Sequence, residues 1–126
     1  MSRTTESRRR AQRHGRRSEG LAAWWLRLKG YRILERDFRC PVGEIDLIAR
    51  RGRTLAIVEV KARSALADAA AAISGRQRRR ILAALGWYLQ RRPQFAEARI
   101  RFDAVLIAPG RLPQHLAGCW EPTATG

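Results

Sequence analysis

Two stretches decide the fold: GEIDLI at Gly43–Ile48 and IVEVKAR at Ile57–Arg63. Short apolar runs bounded by turn residues are typical of strands that are buried in a sheet. A dipeptide suited to a tight reversal, Arg51-Gly52, lies between the two runs. The sequence therefore predicts a β-hairpin, and the carboxylates of Asp46 and Glu59 lie within its strands.

The length of the turn decides whether these two carboxylates meet. Residues that face each other across an antiparallel pair have numbers with a constant sum, and the numbers of Asp46 and Glu59 sum to 105. A turn of two or four residues therefore puts Asp46, Glu59 and Lys61 on one face of the sheet. A turn of three residues would separate them.

Two carboxylates on one half-buried face repel each other and raise a pKa unless a cation lies between them. A hard divalent cation, Mg²⁺ or Mn²⁺, takes oxygen ligands and leaves positions open for water and phosphate. Lys61, two residues after Glu59, would orient or deprotonate the attacking water, or stabilise charge on the phosphate. The alternative interpretation is a surface strand on which Glu59 and Lys61 pair with each other.

The remaining sequence predicts one α/β domain with a mixed central sheet flanked by helices, in the order α-β-β-β-α-β. A chain of 126 residues has room for one such domain. We expect a basic flexible arm at 1–14, the domain at 15–110 and a C-terminal tail at 111–126. The predicted elements are a helix at 16–29, strands at 31–38, 44–50, 54–62 and 99–108, a short alanine-rich helix at 65–73, and a longer helix at 76–91.

The first predicted helix has an apolar stripe with helical spacing. Leu21, Trp24, Trp25 and Leu28 recur at i, i+3, i+4 and i+7, and this pattern predicts the face that packs on the sheet. Glu19 then lies at the rim of the apolar arc. The alternative role for this acid is a favourable interaction with the helix dipole in the first turn.

The composition favours a polyanionic partner. The net charge is +15, with 26 basic and 11 acidic residues, and such an excess favours DNA, RNA or an anionic membrane surface. No apolar run is long enough to span a bilayer, and no apolar segment follows the basic N-terminus as in a secretory signal. We expect a cytoplasmic protein in which Cys40 and Cys119 are reduced thiols, without a zinc site.

Four arginines begin the second long helix, at positions 76 and 78–80. Cations at a helix N-terminus oppose the helix dipole, and a bound phosphate would reverse that penalty. The alternative is a solvated basic face without a ligand.

The combined pattern resembles the YraN-like family of small bacterial proteins. That family is similar to restriction-endonuclease-like PD-(D/E)xK nucleases and to archaeal Holliday-junction resolvases. The resemblance covers about residues 15–108, and it includes the EGLA segment at Glu19–Ala22 and the RFD segment at Arg101–Asp103. The sequence departs from the family's usual pattern at Asp37, where asparagine is usual, at Arg76, where lysine is common, and in the loop at 63–73.

The resemblance implies roles for individual residues. Asp46 and Glu59 would be ligands of Mg²⁺ or Mn²⁺, Lys61 the catalytic lysine, and Glu19 the helix-borne acid that completes the metal site. Gln77 corresponds to a polar residue that such nucleases often carry on the following helix. Contacts with nucleic acid are expected from these positions and from the basic cluster: Arg63, Arg76, Gln77, Arg79 and Arg80.

The sequence thus predicts a metal-dependent endonuclease of restriction-endonuclease-like fold that acts on DNA, branched or structured DNA in particular. Resolution of junctions would imply a homodimer. The alternative is a non-catalytic nucleic-acid-binding module, for DNA or RNA, that retains the fold. A third hypothesis, which rests on charge alone, is an RNA-associated or ribosome-associated factor.

Overall fold

A five-stranded sheet with one helix packed on each face makes up the structure, a computed structural model that describes residues 17–62 and 73–122. The predicted arm at 1–14, Arg63, and the short helix predicted at 65–73 (except Ile73, which is buried) lie outside the described residues. The strands are β1 (Arg32–Cys40), β2 (Gly43–Arg51), β3 (Thr54–Ala62), β4 (Arg99–Ile107) and β5 (Gln114–Trp120); the helices are α1 (17–28) and α2 (Gly75–Gln90), and a 3₁₀ turn spans Pro93–Phe95.

The strands lie in the sheet in chain order. β1, β2 and β3 form an antiparallel meander, β3 and β4 are parallel, and β5 is antiparallel to β4. Parallel neighbours need a crossover connection, and α2 lies in the segment that makes it. The predicted α/β class, with a mixed sheet and the order α-β-β-β-α-β, is confirmed.

A fifth strand lies in the region where the sequence predicts a C-terminal tail. Gln114–Trp120 pair with β4, and the ladder has a register shift between Phe102 and Ala104. Gly118, within β5, adopts a φ of 62°. Such a conformation interrupts the alternation by which a strand is recognised in a sequence, so the prediction of a tail is wrong for this segment.

The buried face of α1 differs from the predicted one. The large apolar side chains lie on the outside, where Leu21 is 47%, Trp24 46% and Leu28 63% exposed. The face that contacts the sheet consists of four residues at the spacing i, i+3, i+4 and i+7: Glu19, Ala22, Ala23 and Leu26.

Small residues on both α1 and the sheet explain why this face of α1 is the buried one. Ala22 and Ala23 of α1 belong to one core cluster with Ala49 and Ala56 of the sheet, and all four are fully buried. Short side chains let the helix backbone approach the sheet closely, which tryptophan would prevent. As a consequence, Glu19 lies on the buried stripe of α1 and not at its rim.

The β2–β3 turn contains two residues, one of the lengths that put Asp46 and Glu59 on one face of the sheet. The ladder pairs Leu47 with Val58 and Arg51 with Thr54, so the paired residue numbers sum to 105. The positions of Asp46 and Glu59 continue this register by one step. The prediction of an even turn is therefore confirmed.

The alternation along β2 breaks immediately before this ladder. Ile45 packs in the core cluster beneath α2, whereas Leu47 packs in the cluster beneath α1, although strict alternation would put both on one face. Regular alternation along β2 predicts that Ile45, Leu47 and Ala49 share one face, and this prediction is wrong at Ile45. The break coincides with Asp37 of β1, which has a φ of 49° and lies between the paired residues on either side.

Candidate acidic site

Asp46 lies at this break in the sheet, and its side chain replaces part of the ladder. The Val60 backbone N–H donates to Asp46 Oδ2 at 2.8 Å. A carboxylate that accepts a backbone N–H at a strand break is fixed in position. The break therefore holds the Asp46 carboxylate beside β3.

Glu59 extends from β3 next to Asp46 and is only 9% exposed. Burial, together with the negative charge of Asp46 and a hydrogen bond with the Asp46 side chain, raises the pKa of Glu59 to about 9. The positive charge of Lys61 lowers the pKa of Glu59, but by less than burial raises it. In the absence of a cation, the Glu59 carboxyl therefore holds its proton more tightly than an ordinary glutamate does.

Glu19 reaches the same region from α1. Burial, followed by the negative charges of Asp46 and Asp37, raises the pKa of Glu19 to about 7. The side chain is 8% exposed, and its Oε1 has no hydrogen-bond partner among the described residues. A buried polar atom without a partner is costly in a folded protein and indicates a missing ligand or water.

Lys61 is held by the start of α2. Its Nζ donates to Gln77 Oε1 at 3.2 Å. Gln77 Oε1 also accepts from the Ser74 N–H at 3.3 Å, and the Gln77 N–H donates to Ser74 Oγ at 3.1 Å, so these two residues form a capping box. The residues expected to be the catalytic lysine and a polar partner are thus in contact.

The helix α2 is brought close to β2 at Gly43. A Cβ at this position would lie 2.0 Å from the Arg80 carbonyl oxygen, so only glycine permits this approach. Arg80 then pairs with Glu44 at 3.0 Å, and both side chains are about half exposed. The close contact fixes the start of α2 above the acidic residues.

The basic residues at the start of α2 have different surroundings. Arg76 and Arg79 are exposed, whereas Arg80 is paired with Glu44. Arg78 donates to the Ile73 carbonyl oxygen at 3.1 Å and lies over the Trp120 ring. Of the five residues expected to contact nucleic acid, two are therefore exposed, two have partners within the chain, and Arg63 lies outside the described residues.

The acidic residues fit a hard cation in their chemistry, because they offer carboxylate oxygens and one orphaned buried oxygen, Glu19 Oε1. Across 17–62 and 73–122, no three His, Cys, Asp or Glu side chains are already gathered in metal-binding geometry. The residues that would close around a cation are Asp46, Glu59 and Glu19.

The fold and these positions define the class of the protein: a small mixed α/β protein with a buried glutamate, Glu59, beside Asp46 on neighbouring strands, and a lysine two residues further along β3. The family model described as uncharacterised protein family UPF0102 matches residues 18–107, and the chain belongs to this family. The resemblance to the YraN-like family is thereby confirmed.

Curated relatives agree over most of their length, and their names state only the family. The chain is 54% identical over 112 residues to the UPF0102 protein of Parvibaculum lavamentivorans, which covers 89% of this chain and 84% of the relative. It is 54% identical over 110 residues to the protein of Chelativorans sp., and the match covers 87% of this chain and 89% of the relative. It is 49% identical over 115 residues to the Paramagnetospirillum magneticum protein, and the match covers 88% of this chain and 89% of the relative. No helix in the described part of the chain has the length and apolar character needed to cross a membrane.

Sequence reasoning missed two members of this region. Ser74 caps α2 and shares Gln77 with Lys61; the signal was a serine three residues before a glutamine at a predicted helix start. Asp37, noted only as a departure from the family, lies opposite Asp46 in the β1–β2 register. The sequence signal for its positive φ was its residue type, since aspartate and asparagine are enriched in that conformation.

Proposed function

We propose that the protein is a metal-dependent endonuclease of restriction-endonuclease-like fold that acts on DNA. The observation that supports this proposal is a buried glutamate, Glu59, that lies beside the fixed carboxylate of Asp46 and is followed two residues later by Lys61. A protein that only binds DNA gains nothing from burying acids close to the phosphates. A nuclease gains a position for a divalent cation.

Each residue has a distinct role in this proposal. Asp46, Glu59 and Glu19 supply carboxylate oxygens to Mg²⁺ or Mn²⁺. When bound, the cation supplies positive charge to a phosphate and lowers the pKa of a coordinated water. Lys61, held by Gln77, places a fixed positive charge where negative charge develops on the phosphate during attack.

The test is cleavage of linear, flapped and four-way-junction DNA in the presence of Mg²⁺ or Mn²⁺. We expect the natural chain to cleave at least one substrate, and the Lys61→Ala variant to be slower by about 10²–10³-fold. The loss arises because transition-state charge is no longer stabilised. Arg53→Ala is the matched control, since it removes one positive charge from the turn at the other end of β3 and leaves the site intact.

The outcomes separate the two main hypotheses. Cleavage by the natural chain and by Arg53→Ala, but not by Lys61→Ala, supports the endonuclease. Equal DNA binding by all three proteins with no cleavage of any substrate would leave the non-catalytic nucleic-acid-binding module. A sedimentation measurement with and without junction DNA tests the expected homodimer.

The surroundings of the arginines on α2 give a second prediction. Arg79 is exposed, whereas Arg80 is engaged with Glu44. We expect Arg79→Ala to reduce the slope of log K against log salt by about 1 for DNA binding, because one phosphate contact and its released counterion are lost. Arg80→Ala should change this slope less, since its charge is already paired.

The measurement is DNA affinity by fluorescence anisotropy from 50 to 300 mM salt. A flat response of the natural chain would remove nucleic acid as the partner. Equal slopes for all three proteins would instead remove α2 from the interface.

A further inference from the structure

Asp37 occupies an unusual place in the sheet. In the β1–β2 ladder Arg36 pairs with Leu47 and Phe38 with Ile45, so Asp37 lies opposite Asp46. Its φ of 49° is in the left-handed region, where it stands apart from the other described residues that are not glycine. Aspartate and asparagine tolerate this conformation better than most residues. The two aspartates therefore occupy opposite positions of the β1–β2 pair, at the same break in the sheet.

A third acid lies close to this pair from another element. Glu19 is more than nine-tenths buried on α1, and its Oε1 has no hydrogen-bond partner in the described parts of the chain. Glu19 lies close enough to Asp46 and Asp37 for the negative charge of each to act on it. The orphaned oxygen is thus near both aspartates, and a cation between them would give it a partner.

We propose that Asp37 is a further acidic ligand of the cation site, which it extends on the side of Glu19 and Asp46. This inference rests on the proposed function, because it assigns one more residue to the same metal centre. Asp37 is 46% exposed in its side chain, so it reaches a cation from the solvent side and contributes directly or through a bound water.

Arg39 is the internal competitor for this carboxylate. Its Nε donates to Asp37 Oδ1 at 3.1 Å, and its side chain is 67% exposed. An exposed ion pair of this kind is weak and readily exchanged. A divalent cation therefore displaces Arg39 from Asp37, and the freed guanidinium becomes available to a phosphate at the same edge.

The experiment measures Mn²⁺ affinity by isothermal titration calorimetry on the full chain, without DNA. Asp37→Asn keeps the backbone preference and removes the charge, and we expect it to weaken Mn²⁺ binding about 5–10-fold. Arg39→Gln removes the competitor and is expected to tighten binding about 3-fold. Glu35→Gln is the charge-matched control, because it removes an acid from β1 on the side of Tyr88 and should bind as the natural chain does.

Opposite effects of Asp37→Asn and Arg39→Gln, with no effect of Glu35→Gln, support the inference. Unchanged affinity in Asp37→Asn would overturn it and leave the metal site of the proposed function intact. An equal loss in Asp37→Asn and Glu35→Gln would reduce the effect to net charge and would also overturn it. Absence of Mn²⁺ binding by the natural chain would overturn both the inference and the proposed metal site.

Discussion

The Glu59→Gln variant is expected to be more stable than the natural chain at pH 8 without metal, and to have no cleavage activity above background. The gain in unfolding free energy should be on the order of 2 kcal/mol, because each pKa unit is worth about 1.4 kcal/mol and part of the shift is relieved by local opening. Glutamine imitates the protonated Glu59, since its amide also donates to Asp46. The same change removes an oxygen ligand with negative charge.

The pH dependence has a definite sign. Glu59 has a pKa of about 9 in the folded chain and an ordinary value near 4.5 when unfolded, so the folded state binds more protons between these values. The unfolding free energy therefore falls as the pH rises from about 5 to 9. Glu19, with a pKa of about 7, adds to this fall between about 4.5 and 7.

Thermal unfolding from pH 5 to pH 9, with EDTA, checks this prediction. The Tm of the natural chain should fall relative to Glu59→Gln by on the order of 5–10 °C at pH 8, and the two proteins should converge near pH 5. Adding Mn²⁺ should raise the Tm of the natural chain and not that of the variant. Parallel curves for the two proteins would show that Glu59 titrates normally.

The hairpin could be predicted from the sequence because its evidence is local. The apolar runs around Asp46 and Glu59, and the glycine between them, specify two strands and a reversal over fewer than twenty residues. The turn length then decides whether Asp46 and Glu59 share one face, and the β2–β3 ladder confirms a turn of two residues. The expected roles of Lys61 and Gln77 came from the family resemblance. The contact between them was not predicted, since helix docking cannot be read from spacing.

The buried face of α1 and the break at Asp37 could not be predicted in this way. Both apolar stripes of α1 have helical spacing, and only the alanines of the sheet, Ala49 and Ala56, favour the stripe that includes Glu19. The break depends on a positive φ at a residue that is not glycine. Sequence periodicity assumes regular strands, so it fails where an irregularity changes the direction of a side chain.

Two aspartates, Asp46 and Asp103, each accept a backbone N–H at an irregularity in the sheet, but their surroundings differ. Asp46 accepts the Val60 N–H where the β2–β3 ladder ends, and Asp103 accepts the Gly118 N–H at 2.9 Å where the β4–β5 register shifts. Asp46 is surrounded by other acids, which favours a cation from solution. Asp103 already has its cation within the chain, so we assign it a structural role.

Asp103→Ala is expected to destabilise the protein by about 3–5 kcal/mol, because it leaves Arg101 and the buried His115 without the carboxylate that they contact. Asp103 is fully buried and accepts from Arg101 at 2.7 and 2.8 Å and from His115 Nε2 at 2.8 Å. Burial by itself would raise the pKa of Asp103, but the hydrogen bonds from His115, Arg101 and Gly118 outweigh it and hold the pKa below its ordinary value. This contribution is present above the ordinary pKa and is lost as the pH falls below it.

Glu44→Ala is the matched control for Asp103→Ala. It also removes a carboxylate from an arginine, at 3.0 Å from Arg80, but both of these side chains are about half exposed. We expect a loss of at most about 1 kcal/mol, because water replaces the lost partner. Urea unfolding at pH 7 compares the two variants with the natural chain. Similar losses in both would mean that burial does not determine the strength of these ion pairs, and that β5 is not held to the sheet by Asp103.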